Sequence, residues 1–154
     1  MPQPPHLLDT NVFLHLAKGR GSEHALVKDA VRQLVERGTE ICYTPQNVVE
    51  FWNVFTRPKE RNGFGLTTAE ADQETSLIES QFTLLPDNER IHAEWRRLVV
   101  AHRVSGVQVH DARLVASMRV HGISHLLTFN TADFARYDDI GAIYPQALLV
   151  ASSD

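Results

Sequence analysis

The sequence predicts an α/β fold on a central, mainly parallel sheet of four to five strands, and two observations carry that prediction. Short apolar runs alternate along the chain with longer segments of helical periodicity, as they do when each helix crosses over the sheet to the next parallel strand. No internal repeat, low-complexity tract or linker of domain-boundary length interrupts the alternation, so residues 1–154 read as a single domain.

The elements follow in order. Leu7-Leu8 is the first strand, and Asp9-Thr10-Asn11 leads into a helix beginning near Asn11. Val27, Val31, Leu34 and Val35 line one side of a helix stopped by Gly38. Ile41-Cys42-Tyr43 is the second strand. Thr44 then serves as N-cap and Pro45 opens a helix with an apolar stripe of Val48, Phe51, Trp52 and Phe55, opposed by a polar stripe of Gln46, Glu50, Asn53 and Arg57. Arg57-Pro58 ends it. The segment 59–66, with Asn62-Gly63 and Gly65, reads as a mobile, partly basic loop. Thr67 and Glu70 form a capping box for a helix to about residue 80, and a third strand spans Phe82 to Leu85. Ile91, Trp95, Leu98 and Val99 mark a further helix. The last major helix runs from about Asp111 to His121, stopped by Gly122, with strands at Leu126–Phe129 and Ala142–Tyr144 on its far side.

Composition narrows the class. A hydrophobic content of 43%, a charged content of 22% and no long apolar run describe a soluble globular chain with no membrane span. The start, Met1-Pro2-Gln3-Pro4-Pro5, lacks the basic and apolar regions of a secretion signal, which predicts a cytoplasmic location. The lone cysteine, Cys42, lies in an apolar run away from any histidine or cation in sequence, as expected of a buried structural thiol. A net charge of -4 argues against a general polyanion-coating protein. Several of the 19 acidic residues occupy apolar contexts, where an unpaired carboxylate is costly unless a cation compensates it.

Four acids stand out by position. Asp9 follows the first strand, and in an open parallel sheet ligands bind beyond the carboxyl ends of the strands. Taken alone, Asp9 or Thr10 is explained as a helix cap. Glu50 lies about one and a half turns into the helix after the second strand, within reach of Asp9, although on its own it reads as a solvated glutamate. Asp111 opens a helix and shares a face with Val115 and Met118, where the helix dipole alone would favour it. Asp133 follows the fourth strand, where bracing a short turn explains it as well as ligation does. Carboxylates converging in one crevice repel one another unless a divalent cation neutralises them, and an all-oxygen set suits Mg²⁺ or Mn²⁺ rather than zinc. His110, His121 and His125 show no zinc-like pairing and read as surface or helix-end residues.

The segments Leu7-Leu8-Asp9-Thr10-Asn11-Val12, Pro45-Gln46-Asn47-Val48-Val49-Glu50-Phe51, His110-Asp111-Ala112 and Leu127-Thr128-Phe129-Asn130-Thr131-Ala132-Asp133-Phe134 resemble, in this order, the four motifs of PIN-domain nucleases, especially VapC-type toxins of toxin-antitoxin pairs. The resemblance covers nearly the whole chain. It implies a three-layer α/β/α sandwich and divalent-metal hydrolysis of RNA by an in-line water. It also implies homodimers and a cognate VapB-like antitoxin whose tail blocks the site. Asp9, Glu50, Asp111 and Asp133 match the family's acidic quartet, with Thr10, Asn11, Thr128 and Asn130 as polar supports; the fourth acid stands either at the position of Asn130 or at Asp133. Arg57, Lys59 and Arg61, beside the helix carrying Glu50, are candidates for RNA phosphates, as are Arg96, Arg97 and Arg103. Two other readings are a haloacid-dehalogenase-like phosphatase, which would want a second aspartate where Asn11 stands, and a PIN-like RNA-binding or scaffolding module without catalysis.

Overall fold

The computed structural model describes residues 3–18 and 21–152. Five short strands form one sheet: β1 (His6–Leu8), β2 (Ile41–Tyr43), β3 (Thr83–Leu84), β4 (His125–Leu127) and β5 (Gly141–Ile143), ordered β3-β2-β1-β4-β5 with every pairing parallel. The helices are α1 (Thr10–Lys18), α2 (Ser22–Glu36), α3 (Pro45–Thr56), α4 (Thr68–Gln81), α5 (Glu89–Ala101), α6 (Gln108–Val120) and α7 (Pro145–Ser152). Helices cover both faces of the sheet, an α/β/α sandwich.

The central strands are apolar without alternation because both of their faces are covered. Successive side chains point to opposite faces, and the two sides are filled by different helices. Leu7, Cys42 and Leu126 pack with Ile91 and Leu98 of α5 and with Leu114, Val115 and Met118 of α6. Leu8, Tyr43 and Leu127 pack on the other side with Phe13 of α1, Val27 and Leu34 of α2, Phe51 and Phe55 of α3, and Leu148 of α7. Truncating one such buried leucine to alanine costs about 2–5 kcal/mol.

Strand order also fixes where a site can form. From β1 the chain moves outward through β2 to β3, then returns across the sheet to β4 on the other flank of β1. The crossovers therefore diverge at the carboxyl ends of β1 and β4, leaving a crevice at this topological switch point. The backbone N–H of Asp9 donates to the carbonyl of Leu127 at 2.9 Å, so residues following both strands meet there.

Several expectations are corrected. Val35 is 58% exposed; the buried face of α2 is Val27, Ala30, Val31 and Leu34, the i, i+3, i+4, i+7 set that alanine completes. α1 begins at Thr10, and α6 begins at Gln108 after a turn at Gly106, so Asp111 is its fourth residue rather than its first. α7 was not anticipated, because its mostly apolar octet lacks a clear period. The segment 59–66 is a built cap on α3 and not a loose loop. After a 3-10 turn at Lys59–Arg61, the N–H groups of Phe64, Gly65 and Leu66 donate to the carbonyls of Val54, Arg57 and Phe55 at 2.8–3.0 Å, satisfying the helix end. Gly63 is obligatory there, since a Cβ would lie 2.0 Å from the carbonyl oxygen of Arg57.

Candidate metal centre

Asp9 leaves β1 and enters the crevice with both carboxylate oxygens held. Oδ1 accepts the backbone N–H of Thr10 at 2.8 Å, and Oδ2 accepts the hydroxyl of Thr128, the first residue after β4, at 2.8 Å. The residue is only 8% exposed, and burial pushes its carboxyl above the ordinary value despite these bonds, with the charge of Asp133 adding to the rise. Each oxygen accepts one hydrogen bond, leaving lone pairs for another cation or donor.

Glu50 reaches the same place from α3. Its Oε1 accepts the Thr10 hydroxyl at 3.1 Å, so Thr10 links the two acids, its N–H on Asp9 and its O–H on Glu50. Burial raises the Glu50 carboxyl, and Asp9 raises it further. Thr44, fully buried at the end of β2, fixes the start of α3 through a reciprocal cap with Asn47. One turn before Glu50, Gln46 ties α3 to α6: its Nε2 donates to the carbonyl of His110 at 2.7 Å, and its Oε1 accepts from Arg113 at 3.2 Å.

Asp111 is the most perturbed acid. Burial, then the charges of Asp9, Asp133 and Glu50, push its carboxyl up to about 7, against a smaller opposing pull from Arg136. Asp133 sits in a 3-10 turn, Thr131–Phe134, with its N–H donating to the carbonyl of Asn130 at 3.0 Å. The predicted quartet thus meets in one electrostatic environment: Asp9 and Asp111 each feel Asp133, and Asp111 also feels Glu50.

Four oxygen-donor acids, of which Asp9, Glu50 and Asp111 are raised by burial and by neighbouring negative charge, match a hard divalent cation in donor type and charge. Among the described residues, however, no group of three or more Asp, Glu, His or Cys side chains is gathered closely enough to hold an ion as it stands. The fit is in chemistry and placement, not in a closed coordination shell.

The supports divide. Thr10 and Thr128 hold the acids directly. Asn11 acts on the backbone, its Oδ1 accepting from Phe129 N–H at 3.5 Å, and Asn130 contributes its N–H to Thr128 Oγ1 at 3.0 Å.

A family model described as the PIN domain matches residues 6–140, a span containing all four acids. The chain belongs to the PIN domain family. No curated protein matches the sequence. Among solved structures, the PIN domain here is similar to a toxin-antitoxin complex from Klebsiella pneumoniae at 21% identity, covering 91% of this chain and 97% of that one with a TM-score of 0.64. It is also similar to VapC20 of Mycobacterium tuberculosis, described as a sarcin-ricin loop cleaving toxin, at 16% identity, 86% and 95% coverage and a TM-score of 0.65. VapBC-1 from nontypeable Haemophilus influenzae is a third, at 18% identity, 92% and 98% coverage and a TM-score of 0.66. At these identities the likeness establishes the fold. Membership of the PIN family also sets aside the haloacid-dehalogenase-like reading.

Other residues of this PIN domain find structural explanations. Cys42 is buried, and burial, with a smaller contribution from the adjacent Glu40, pushes its thiol up to about 12. His121 ends α6 and its Nε2 meets the carbonyl oxygen of Pro86 at 2.8 Å. Arg57 donates to the carbonyl of Asn62 at 3.1 Å and so braces the cap on α3, while Lys59 and Arg61 are exposed. In the second basic cluster, Arg97 pairs with Glu94 of its own helix.

Sequence reasoning passed over Asn47, Gln46 as a link to α6, and Arg136. The Thr44-x-x-Asn47 spacing at a helix start was a readable signal for the first. Nothing in the sequence marked the other two, since their partners lie far away in the chain. A cavity of about 540 Å³ has Glu50 alone of the four acids in its lining, with Pro45, Gln46, Val49, His110 and Arg113 among its other residues. A larger groove of about 680 Å³, between α1, α2 and α4, contains none of the four acids.

Proposed function

We infer that this PIN domain is an endoribonuclease that hydrolyses RNA phosphodiester bonds with Mg²⁺ or Mn²⁺, the toxin of a type II toxin-antitoxin pair. The observation that supports this reading is the Thr10 link between Asp9 and Glu50 at the switch point of a PIN-family sheet, beside an Asp111 carboxyl raised by burial and by the charges of Asp9, Asp133 and Glu50. Similar solved structures that are themselves toxins or toxin-antitoxin complexes support the biological role.

Asp9 and Asp111 are the direct ligands in this reading. Glu50 binds a second ion or orients the attacking water, and Asp133 acts through the outer shell or the second ion. When bound, the cation supplies an acidified water and positive charge at the phosphate oxygens. The chain's own contribution is positioning: Thr128 and the Thr10 N–H hold Asp9 from both sides, and the Thr10 hydroxyl holds Glu50. Lys59 and Arg61, with Arg57 behind them, offer cationic groups for the RNA backbone. A VapB-like antitoxin, a homodimer and a cytoplasmic setting complete the reading. No helix among the described residues is long and apolar enough to cross a membrane.

Incubating the purified protein with total RNA, with and without Mg²⁺ or Mn²⁺, tests the function. Cleavage that requires the cation and disappears in Asp9→Asn is expected. Equal cleavage by Asp9→Asn would refute the assignment, and cation binding without cleavage of any RNA would instead identify an inactive PIN-like RNA-binding or scaffolding module.

A further inference from the structure

Asn47 is 1% exposed and hydrogen-bonds no acid among the described residues, yet among them its amide is the only donor to the Thr10 hydroxyl. Which way that amide faces is decided by the backbone. Thr44 N–H can only donate, and it meets the Asn47 side chain at 2.9 Å, so the atom there must be the oxygen, Oδ1. The Thr44 hydroxyl agrees: it accepts the Asn47 backbone N–H at 3.0 Å and donates its own proton to Oδ1 at 3.0 Å. The amide nitrogen is therefore left facing Thr10, and Nδ2 donates to Thr10 Oγ1 at 3.2 Å.

The consequence passes to Glu50. With Oγ1 accepting from Asn47, the Thr10 proton turns toward Glu50 Oε1 at 3.1 Å. The donors therefore run in one direction, from the Asn47 amide through the Thr10 hydroxyl to the Glu50 carboxylate, and the chain starts from a helix cap that cannot be reversed. Such chains polarise each member in the same sense.

We propose that Asn47 is a positioning residue that, through Thr10, fixes Glu50 as a hydrogen-bond acceptor and so prepares it for the divalent cation; this rests on the metal-centre reading above. The near-isosteric Asn47→Asp keeps an acceptor for the Thr44 N–H but puts an oxygen opposite Thr10. The Thr10 hydroxyl then donates to that oxygen and Glu50 loses the bond from Thr10. Thr10→Val removes the same bond without touching the Thr44–Asn47 cap.

The test is a double-mutant cycle read by calorimetric titration of the purified protein with Mn²⁺, with thermal melting of each variant alongside. Each single substitution is expected to weaken Mn²⁺ roughly tenfold or more, the worth of one hydrogen bond to a charged acceptor. The double variant is expected to be no weaker than either single, because both break one chain. Additive losses, on the order of a hundredfold in the double variant, would overturn the proposal, as would wild-type affinity in a cooperatively melting Asn47→Asp. If Asn47→Asp does not melt cooperatively, Asn47→Ser takes its place in the cycle: weakened Mn²⁺ that is not additive with Thr10→Val supports the proposal, and wild-type affinity or additive losses overturn it. A wild-type protein that binds no Mn²⁺ would instead remove the metal-centre reading on which the proposal rests.

Discussion

The acidic crevice has two halves built on different terms. On the β1 and α3 side, Asp9 accepts two hydrogen bonds and Glu50 accepts one from the same threonine, so both carboxylates have fixed positions. On the α6 side, Asp111 accepts no hydrogen bond among the described residues and is governed by burial and by the charges around it. Hydrogen bonds to the ionised form lower a carboxyl's affinity for protons, and nothing of that kind offsets repulsion at Asp111. The pinned half is organised by the fold, and the unpinned half is where a cation's charge has most to neutralise.

The sharpest way to break that comparison is Asp111→Asn. RNA cleavage should fall by about a thousandfold, equivalent to ~4 kcal/mol of transition-state stabilisation. The cation-free protein should nevertheless melt about 2–4 °C higher, the shift that ~1 kcal/mol gives at this size, because a repelled charge has gone. A lower melting temperature would show that Asp111 is held by favourable contacts after all. Asp9→Asn, in the pinned half, should bring no such gain.

Thr128→Val probes the pinned half from behind. Losing the hydroxyl on Asp9 Oδ2 should reduce cation affinity by about 10–100-fold, as removal of an outer-shell partner commonly does. Calorimetry checks this, and an effect smaller than twofold would mean the bond does not organise the site.

The pH dependence follows from Asp111. Its folded carboxyl, at about 7, lies above the ordinary unfolded value near 4, so the folded state holds that proton more tightly. Without cation, this group's contribution to stability is therefore lost as pH rises from about 4 through 7. Cation and proton compete, so Mn²⁺ affinity should fall as pH drops below 7. Melting curves with and without Mn²⁺ at pH 5.5 and pH 8 check both signs, and a Mn²⁺ stabilisation equal at the two values would contradict them.

The smallest effect is expected outside the crevice. Replacing Lys59 and Arg61 together by alanine should weaken RNA binding uniformly and lower the slope of log affinity against log salt by about 1–2, measured by filter binding. An unchanged slope would make them ordinary solvated charges.

Legibility in the sequence follows the same division. The central strands β1, β2 and β4 were readable because a doubly covered parallel strand must be apolar, and the helix starts at Thr44 and Thr67 because capping is local. The four candidate acids were picked out by their motif order, with Asp9 and Asp133 also following strands. Their bonds were not: Thr128 with Asp9, and Thr10 with Glu50, join residues 119 and 40 positions apart. The cap at 59–66 was mistaken for a mobile loop because Gly63 and Gly65 signal turns but not the carbonyls of Val54, Phe55 and Arg57 at the end of α3 that the segment satisfies. Val35 misled because an apolar residue one step off the buried face differs from its neighbours only through packing.

The proposed function requires separate acids to act as one divalent-cation site. Calorimetric titration of Mn²⁺ at pH 8 into the wild type, Asp9→Asn and Asp111→Asn tests it most directly. Saturable binding in the wild type, lost in both variants although one acid follows β1 and the other lies on α6, is the predicted result. Wild-type affinity retained in either folded variant would contradict it.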